Sequence, residues 1–529
     1  MFSGKLKRQL QQSYGARPDL CYFDGDMNGI RTYFDYRRDA DLDEFLVDEI
    51  TWHDLSGDDV FKRINQGLST SGEQYLYYML RSPAIKRDEY NRRSNMIGIM
   101  EQNPNLRLKL QLIFARLGRR RAANTCEVFK PSSHSAKKLW FYILLVLALI
   151  GSAVSLAFTT KTMLLFFCLF IFVPSYHHFA ATRIEIDLET VQYTVSMVKA
   201  ARKIKKLAFG ELEQHLPSFY QAVTRLKVIS RVGHVPTHST VGDIAFLLNG
   251  VLLLDLIVYE FLKNRLGKHH EDIFHIHEYL GFMDAAIVAA SYRKSLPICS
   301  TPQIDFAPAA ISFCGTSLVH PLMENAVPND LDRAGSVLLT GSNASGKSTF
   351  LKTVALNAIL AQSICTALGS RYVACAFRIY SSMAITDDLL AGESYFISEI
   401  KSLKRIADAD KSQEPLLCVI DEVLRGTNTV ERIAASSELL KHLATEKTLC
   451  LAATHDIELC ALLDGFYRLW HFEETVTENG EVLFDYRIKD GPATTRNAIK
   501  LLGGMGFDKE LVARANEKAN RYTADGKWL

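Results

Sequence analysis

The stretch that decides the fold is Gly341-Ser342-Asn343-Ala344-Ser345-Gly346-Lys347-Ser348-Thr349, which fits the phosphate-binding pattern G-x-x-x-x-G-K-[ST] at every fixed position. A short apolar run at 336–340 is typical of a buried strand, and residues 349–362 have apolar side chains spaced for one face of a helix. In this strand–loop–helix order, the loop is expected to bind the phosphates of ATP through its backbone N–H groups. Lys347 is expected to bind the β- and γ-phosphates, and Ser348 to ligate Mg²⁺. A Gly/Ser-rich turn without a ligand is the weaker alternative.

Length and composition limit the remaining possibilities. A chain of 529 residues is too long for one hydrophobic core, so roughly three or four structural units are expected. The net charge is only +2, which gives no evidence for a strongly basic nucleic-acid binder. The ten cysteines form no C-x-x-C pair, which favours free thiols in a reducing compartment. The polar residues 1–20 lack an apolar segment, so no signal peptide is expected.

Two apolar segments in the first half predict a transmembrane helical hairpin. Residues 139–158 contain no charge, and a helix of that length spans about 30 Å, the thickness of the hydrocarbon core of a bilayer. The segment Thr159-Thr160-Lys161 interrupts the apolar run, and residues 162–176 are again uncharged, although they include Pro174. We therefore expect residues 139–180 to cross a lipid bilayer. A pair of helices buried in a soluble core is the alternative.

The charges that flank the hairpin predict its orientation. Six Lys and Arg residues lie within 119–138 and Arg183 follows the second segment, whereas the turn has only Lys161. The positive-inside rule then places both termini and the nucleotide site on the cytoplasmic side of the inner membrane. A later apolar segment, 244–261, contains Asp255 and Glu260. It is expected to be a core helix, because an unpaired carboxylate in lipid is costly.

Two more strand ends carry residues suited to nucleotide hydrolysis. The apolar run 416–420 ends in Asp421 and Glu422, which is the Walker B arrangement. Asp421 is expected to hold Mg²⁺ and Glu422 to polarise the attacking water. The run 449–453 leads to His455, which could sense the γ-phosphate by hydrogen bonding. A single His is also compatible with a structural role, and only its position after the strand favours function.

These patterns predict a mixed fold. An α-helical core or lever domain contains the inserted transmembrane helical hairpin, and a C-terminal α/β P-loop (ABC-like) ATPase domain follows. The expected organisation is an N-terminal leader at 1–47, a first segment of the helical core at 48–138, the hairpin at 139–180, a second segment of the helical core or lever at 181–299, the ATPase domain at 300–490 and a helical dimerisation segment at 491–529.

Together with further matches, these motifs resemble the ATPase domain of the MutS family, whose members are mismatch-repair ATPases related to ABC ATPases. The further matches are residues 320–330, 392–396 with Glu399, 425–429, 453–455 and 497–516. The resemblance is specific over about 318–518 and weaker over 48–300.

The resemblance implies a homodimer with two composite ATP sites. Asn343 matches the asparagine of the family's loop. Ser394 would contact the γ-phosphate bound to the opposite subunit, although a helix N-cap is an equally good interpretation. Residues 425–429 would lie at the dimer interface. The family's mismatch-reading and clamp domains have no counterpart here, and the apolar hairpin stands where the clamp would be, so mismatch recognition is not expected.

The function expected from these observations is a membrane-anchored MutS-like ATPase that moves helical levers. ATP is the only small-molecule substrate expected. The first alternative is a DNA-binding or repair-associated tether that uses ATP as a slow switch. Its support is limited to the basic runs Arg119–Arg121 and Arg202–Lys206, which near a membrane more often serve topology or lipid contact. A transporter-like machine is the weakest alternative, because a dimer would have only four transmembrane spans, which are few for a solute pathway.

Overall fold

The computed structural model contains two compact units. The first consists of Met1–Leu42, Ile64–Tyr78 and Met96–Lys294, and the second of Asp43–Arg63, Met79–Asn95 and Ser295–Leu529. The residues that the structure describes are 2–40, 44–121, 123–129, 137–207, 217–231, 250–333, 335–342, 345–383, 395–425, 427–476, 482–493, 499, 502–503 and 506–525.

Helices and strands are numbered in chain order. The α-helices are α1 (Phe2–Ser13), α2 (Asp26–Asp39), α3 (Glu49–Asp54), α4 (Gly57–Ile64), α5 (Thr70–Arg81), α6 (Arg87–Gln102), α7 (Pro104–Leu117), α8 (Lys137–Ser155), α9 (Met163–Lys205), α10 (Pro217–Arg225), α11 (Leu254–Lys268), α12 (His270–Ser295), α13 (Lys347–Ser363), α14 (Tyr395–Ala409), α15 (Thr429–Leu443), α16 (Glu458–Leu462) and α17 (Lys509–Asp525). The strands are β1 (Gln303–Asp305), β2 (Phe313–Leu318), β3 (Asn329–Arg333), β4 (Val337–Thr340), β5 (Arg371–Cys375), β6 (Arg378–Ser382), β7 (Leu416–Asp421), β8 (Thr448–Ala453), β9 (Arg468–His471), β10 (Glu474–Val476), β11 (Val482–Phe484) and β12 (Lys489–Asp490).

The core of the first unit forms around α12, which is buried along most of its length. Helix α2 contributes Tyr33, whose ring lies 5.9 Å from that of Tyr75 on α5 and 5.1 Å from that of His277 on α12. The sequence assigned residues 1–47 to an N-terminal leader, and α1 and α2 lie within that range. The buried positions of α2 have helical spacing, but its many charged residues conceal the apolar face.

A buried carboxylate joins two helices of this core. Asp284 on α12 accepts hydrogen bonds through Oδ2 from Ser69 Oγ at 2.6 Å, Ser69 N at 2.9 Å and Leu68 N at 3.1 Å. These donors lie immediately before α5, so Asp284 satisfies N–H groups at the helix start. Burial raises the pKa of Asp284 to about 7, although these hydrogen bonds oppose the rise.

The two apolar helices of the first unit are long and apolar enough to cross a membrane, as judged by length and composition. The most apolar windows of Lys137–Ser155 and Thr160–Ile184 have mean hydropathies of 1.9 and 1.7, and only 17% and 11% of these windows are buried. The sequence divided the hairpin from the second segment of the helical core at residue 180, whereas α9 continues without a break from Met163 to Lys205. Pro174 lies inside this helix, and the next residue, Ser175, donates from Oγ to Ile171 O at 2.8 Å.

Helix α11 packs against the hairpin. Leu253 and Leu256 share an apolar cluster with Tyr142 and Leu149 of α8 and Val173 of α9. The expectation that this apolar segment is a core helix agrees with the described residues Leu254–Phe261, whereas 244–249 lie outside the described residues. One of the two carboxylates of this segment has a partner, because Asp255 Oδ2 lies 2.8 Å from His177 Nε2.

The second unit is built on a six-stranded sheet with the order β12-β9-β4-β8-β7-β6. All neighbouring strands from β9 to β6 are parallel, and only β12 is antiparallel to its neighbour. Every residue of β4, β7 and β8 is buried, as expected for the centre of a sheet covered on both faces. A four-stranded sheet, β1-β5-β2-β3, and the β10–β11 hairpin complete the unit. The predicted mixture of helices and sheets is therefore confirmed.

Candidate functional site

The predicted site residues meet at one edge of the six-stranded sheet. Strands β4, β8 and β7 are adjacent and parallel, so their carboxyl ends lie side by side. Gly341 follows β4. Asp421 is the last residue of β7 and Glu422 follows it, and His455 lies two residues after β8. Sheet topology therefore brings together three segments whose outermost residues, Gly341 and His455, are 114 residues apart in the sequence.

The loop between β4 and α13 depends on two glycines. Gly341 and Gly346 have φ angles of 139° and 111°, which side chains with a Cβ rarely adopt. A Cβ on Gly341 would also approach Phe472 O to 2.7 Å. The two predicted loop residues Asn343 and Ala344 lie outside the described residues.

Lys347 is held against the carbonyl groups of its own loop. Its Nζ donates to Gly341 O and Ser342 O, both at 2.8 Å. Ser345 Oγ also donates to Ser342 O at 2.8 Å. Burial lowers the pKa of Lys347 to about 8, while the charges of Asp421, Glu422 and Glu474 oppose this change. The loop thus concentrates a buried ammonium group and backbone N–H groups where an anion could bind.

Ser348 and Asp421 form the pair that the sequence assigned to Mg²⁺. Ser348 Oγ donates to Asp421 Oδ2 at 2.5 Å. A hydroxyl and a carboxylate are oxygen ligands of the kind that Mg²⁺ prefers, with phosphate and water as the remaining ligands. Within the residues that the structure describes, no group of three or more His, Cys, Asp and Glu is arranged for a metal. The residues therefore fit a Mg²⁺ ion that arrives with phosphate better than a fully protein-bound metal.

Glu422 has a strained backbone and two cationic or polar neighbours. Its φ of 61° lies in the left-handed region, which is unusual for a residue with a side chain and is common at functional sites. His455 Nε2 lies 2.9 Å from Glu422 Oε1, and Arg425 Nε lies 2.5 Å from Oε2. Burial alone would raise the pKa of Glu422, but the bond with His455 and the charges of Arg425 and Lys347 outweigh it and lower the pKa. The carboxylate is therefore ionised at neutral pH.

The segment after Glu422 is anchored at both ends. Arg425 N donates to Glu399 Oε1 at 3.2 Å, and Asn428 caps α15 by accepting from Glu431 N at 3.0 Å. Ser394, assigned to the partner's γ-phosphate, and Gly426 lie outside the described residues. The exposed Thr349 lies in the first turn of α13.

A cavity of about 450 Å³ adjoins these residues, within the usual range for a small-molecule site. Lys347, Ser348 and Glu422 lie on its lining, together with Phe472 and Tyr486. The sequence reasoning missed the two aromatic residues. They come from the region around β9 to β11, which carries no motif, and only the pairing of β9 with β4 would have placed Phe472 beside the loop.

His320, noted in the sequence only as a member of a matched stretch, also lines the cavity. Its Nδ1 accepts a hydrogen bond from Leu322 N at 3.2 Å. Burial and the charge of Lys352 lower the pKa of His320 to about 4, so the ring is neutral at pH 7.

Comparison with known proteins finds relatives that match the C-terminal part of the chain, where this site lies. Residues 337–523 match the family model described as MutS domain V. The chain is 36% identical over 210 residues to the DNA mismatch repair protein MutS of Pseudothermotoga lettingae, covering 38% of this chain and 25% of that protein. It is 35% identical over 207 residues to the same-named protein of Thermus aquaticus, covering 37% and 24%. A longer match, 27% identical over 276 residues, covers 51% of this chain and 33% of the MutS of Fervidobacterium nodosum. The aligned region thus spans between about a quarter and a third of these relatives.

Proposed function

We propose that this chain, whose residues 337–523 match MutS domain V, is a Mg²⁺-dependent P-loop ATPase of the MutS family. The observation that carries this function is the convergence of Lys347, the Ser348–Asp421 pair and Glu422 at one edge of a parallel sheet. Each of these groups has a separate task in phosphoryl transfer to water. A structural cluster would not require a strained glutamate beside a glycine loop.

Binding of the polyphosphate is assigned to the loop. The phosphate oxygens would replace Gly341 O and Ser342 O as acceptors for Lys347, whose Nζ already lies at the loop. The N-terminal N–H groups of α13 add favourable electrostatics for an anion. Bound Mg²⁺, held by Ser348 and Asp421, would neutralise some of the phosphate charge.

Hydrolysis is assigned to Glu422. Because its carboxylate is ionised at neutral pH, it can accept a hydrogen bond from water and orient that water for attack. His455 fixes one oxygen of Glu422 and would sense the γ-phosphate from the same position. Arg425 occupies the other oxygen, so the Arg425 contact has to open before water can use it.

The active form is proposed to be a homodimer with composite sites. Ser394 would contact ATP on the opposite subunit, and residues 425–429 would lie at the interface between the two sites. Since α14 begins at Tyr395, the next residue in the sequence, a helix N-cap is the alternative role for Ser394. Trapping of a dimer by ATP in the slow-hydrolysing Glu422→Gln variant would support the composite site.

The work of the ATPase is proposed to be delivered at a membrane through the hairpin, by movement of the helical levers. Support comes from the low burial of the two apolar helices. A location in the cytoplasmic membrane, with the ATPase domain and both termini in the cytoplasm, follows from the basic flank.

DNA is the second proposed partner, because the relatives are named DNA mismatch repair proteins. In this alternative the chain is a DNA tether with ATP as a slow switch. The basic runs are partly engaged within the protein, since Arg121 pairs with Glu73 at 2.7 Å and Lys205 donates to Tyr220 O at 3.0 Å. A DNA affinity that falls steeply with salt for duplex, mismatched or branched DNA would favour the tether, and absence of binding at low salt would exclude it.

The ATPase is tested with the purified full chain by measuring phosphate release with and without Mg²⁺. Release is expected only with Mg²⁺, and Asp421→Asn is expected to reduce it at least about 100-fold because the cation loses a charged ligand. Asp464→Asn is the matched control, since Asp464 is exposed and lies outside the site. Failure of the wild type to bind or hydrolyse ATP in the presence of Mg²⁺ would overturn the assignment.

A further inference from the structure

Glu474 is a buried carboxylate that none of the sequence motifs includes. It is the first residue of β10 and is 5% exposed. Its neighbour Glu473 differs sharply, because Glu473 Oε2 lies 2.8 Å from Lys489 Nζ on a solvent-accessible region of the surface. Two adjacent glutamates thus have different environments, and only Glu474 points to the phosphate loop.

Glu474 is hydrogen-bonded directly to the phosphate loop. Ser342 Oγ donates to Glu474 Oε2 at 2.6 Å. The carbonyl of the same serine accepts from Lys347 Nζ and from Ser345 Oγ, both at 2.8 Å. Ser342 therefore links Glu474 through its side chain to the loop lysine through its backbone. A carboxylate acceptor makes this hydrogen bond stronger than a neutral acceptor would.

The charge at this position also opposes the expected ligand. Asp421 and Glu422 already supply two carboxylates on the side of Lys347 that faces the cavity. Glu474 is a third carboxylate whose charge acts on Lys347. Arg425 also lines the cavity, but a polyphosphate without a cation would still approach a site where three carboxylates outnumber Lys347 and Arg425, and in a partly buried site such repulsion is weakly screened.

We infer that Glu474 is a positioning residue that holds the phosphate loop through Ser342 and makes the loop select polyphosphates whose charge a divalent cation has reduced. This inference rests on the proposed ATPase function, and it concerns which charge state of the nucleotide is bound. Glu474 is assigned no direct contact with the nucleotide. Its two effects, the hydrogen bond and the charge, can be separated by substitution.

The test is the equilibrium affinity of the full chain for a fluorescent ATP analogue, measured with excess Mg²⁺ and again with EDTA. Glu474→Gln keeps an oxygen that accepts from Ser342 but removes the charge. It is expected to tighten cation-free binding about tenfold and to change binding with Mg²⁺ by less than about threefold. Glu473→Gln, the matched control, is expected to change neither affinity by more than about twofold.

A second variant keeps the test decisive if the first one is poorly folded. Ser342→Ala removes the hydrogen bond but leaves the charge, so both affinities should weaken while their ratio stays within about twofold of that of the wild type. A purely structural role of Glu474 would weaken binding in both conditions for Glu474→Gln, and that result overturns the inference while the ATPase assignment stands. A wild type that binds no nucleotide in either condition overturns the ATPase assignment and the inference with it.

Discussion

The phosphate-loop edge of the second unit buries charged side chains, whereas the apolar hairpin of the first unit exposes large apolar ones. At the loop edge, Lys347 and Asp421 are 4% and 8% exposed, and both have polar partners within the chain. In the hairpin, large apolar side chains face outward, such as Trp140 and Leu144, which are 61% and 62% exposed.

The buried charges at the loop edge have their partners within the chain, whereas the exposed apolar surface of the hairpin requires an apolar environment outside it. A buried charge is tolerated when it is paired and hydrogen-bonded, and the loop edge meets that condition with its own residues. An extended outward-facing apolar surface is unfavourable in water and calls for an apolar environment. We therefore take the loop edge as a site for a charged ligand and propose lipid as the surroundings of the hairpin.

The comparison is tested most strongly by removing the charge at the loop. Lys347→Ala is expected to weaken ATP binding about 100- to 1,000-fold, or roughly 3–4 kcal/mol, because the loop loses the ammonium group that is proposed to bind the phosphates. Lys352→Ala lies on the same helix and is the control, with an expected change below about threefold. Equilibrium binding of a fluorescent ATP analogue gives both values. Equal affinities of the two variants would remove the loop lysine from the site.

A charge placed in the hairpin is expected to have the next largest effect. Leu147 is exposed near the middle of α8, and an arginine at such a position costs about 2.5–3.5 kcal/mol in membrane insertion. Wild-type protein is expected in the membrane pellet after a high-salt wash, and Leu147→Arg should shift a fraction of it out of that pellet.

Val228→Arg is the control for this experiment, because Val228 is an exposed apolar residue outside the hairpin. It should leave the membrane-bound fraction unchanged. Wild-type protein that stays in the supernatant without detergent would show that the outward apolar face has another partner, and the lipid proposal would be abandoned.

A pH-dependent effect, smaller per pH unit than the two effects above, is expected from Asp284 in the core of the first unit. Its pKa is raised from 3.8 to about 7, so the stability it contributes is fully present below about pH 4 and is lost as pH rises through 7. One proton changes the free energy of unfolding by at most about 1.4 kcal/mol per pH unit. Asp284→Asn keeps an acceptor for Ser69 and should flatten this dependence.

Hydrogen exchange of the amides in α5 and α12, corrected for intrinsic rates, measures the effect between pH 4 and 7. Asp272→Asn is the control on the same helix, because its carboxylate pairs with Arg225 and His269. A pH dependence that persists unchanged in Asp284→Asn would mean that another group titrates in this core. That outcome would remove the contrast between the buried Asp284, which has no cationic partner among the residues that the structure describes, and the paired acids at the loop edge.

The sequence predicted the residues of the site that lie in motifs and missed those placed by pairing of distant strands. Lys347, Ser348, Asp421 and Glu422 follow strands with apolar runs that are recognisable locally. Glu474, by contrast, reaches Ser342 only because β9 pairs with β4 and β10 follows β9. No local pattern encodes this contact.

The same distinction explains the differences in the fold. The hairpin was expected to end at residue 180, but α9 continues past Pro174 for another 31 residues, to Lys205. No helix was predicted within the leader, because the charges of α2 conceal the face that carries Tyr33 and Phe34 into the core. Tertiary packing determines the helical structure in both places, and a local sequence pattern does not reveal that packing.

The central claim, that Glu422 activates water for hydrolysis of ATP bound by the loop, is tested most directly by ATP turnover of Glu422→Gln with binding measured in the same sample. The amide cannot act as a base, so turnover is expected to fall at least about 100-fold while ATP affinity stays within about threefold of that of the wild type. Hydrolysis by Glu422→Gln at the wild-type rate would contradict the claim.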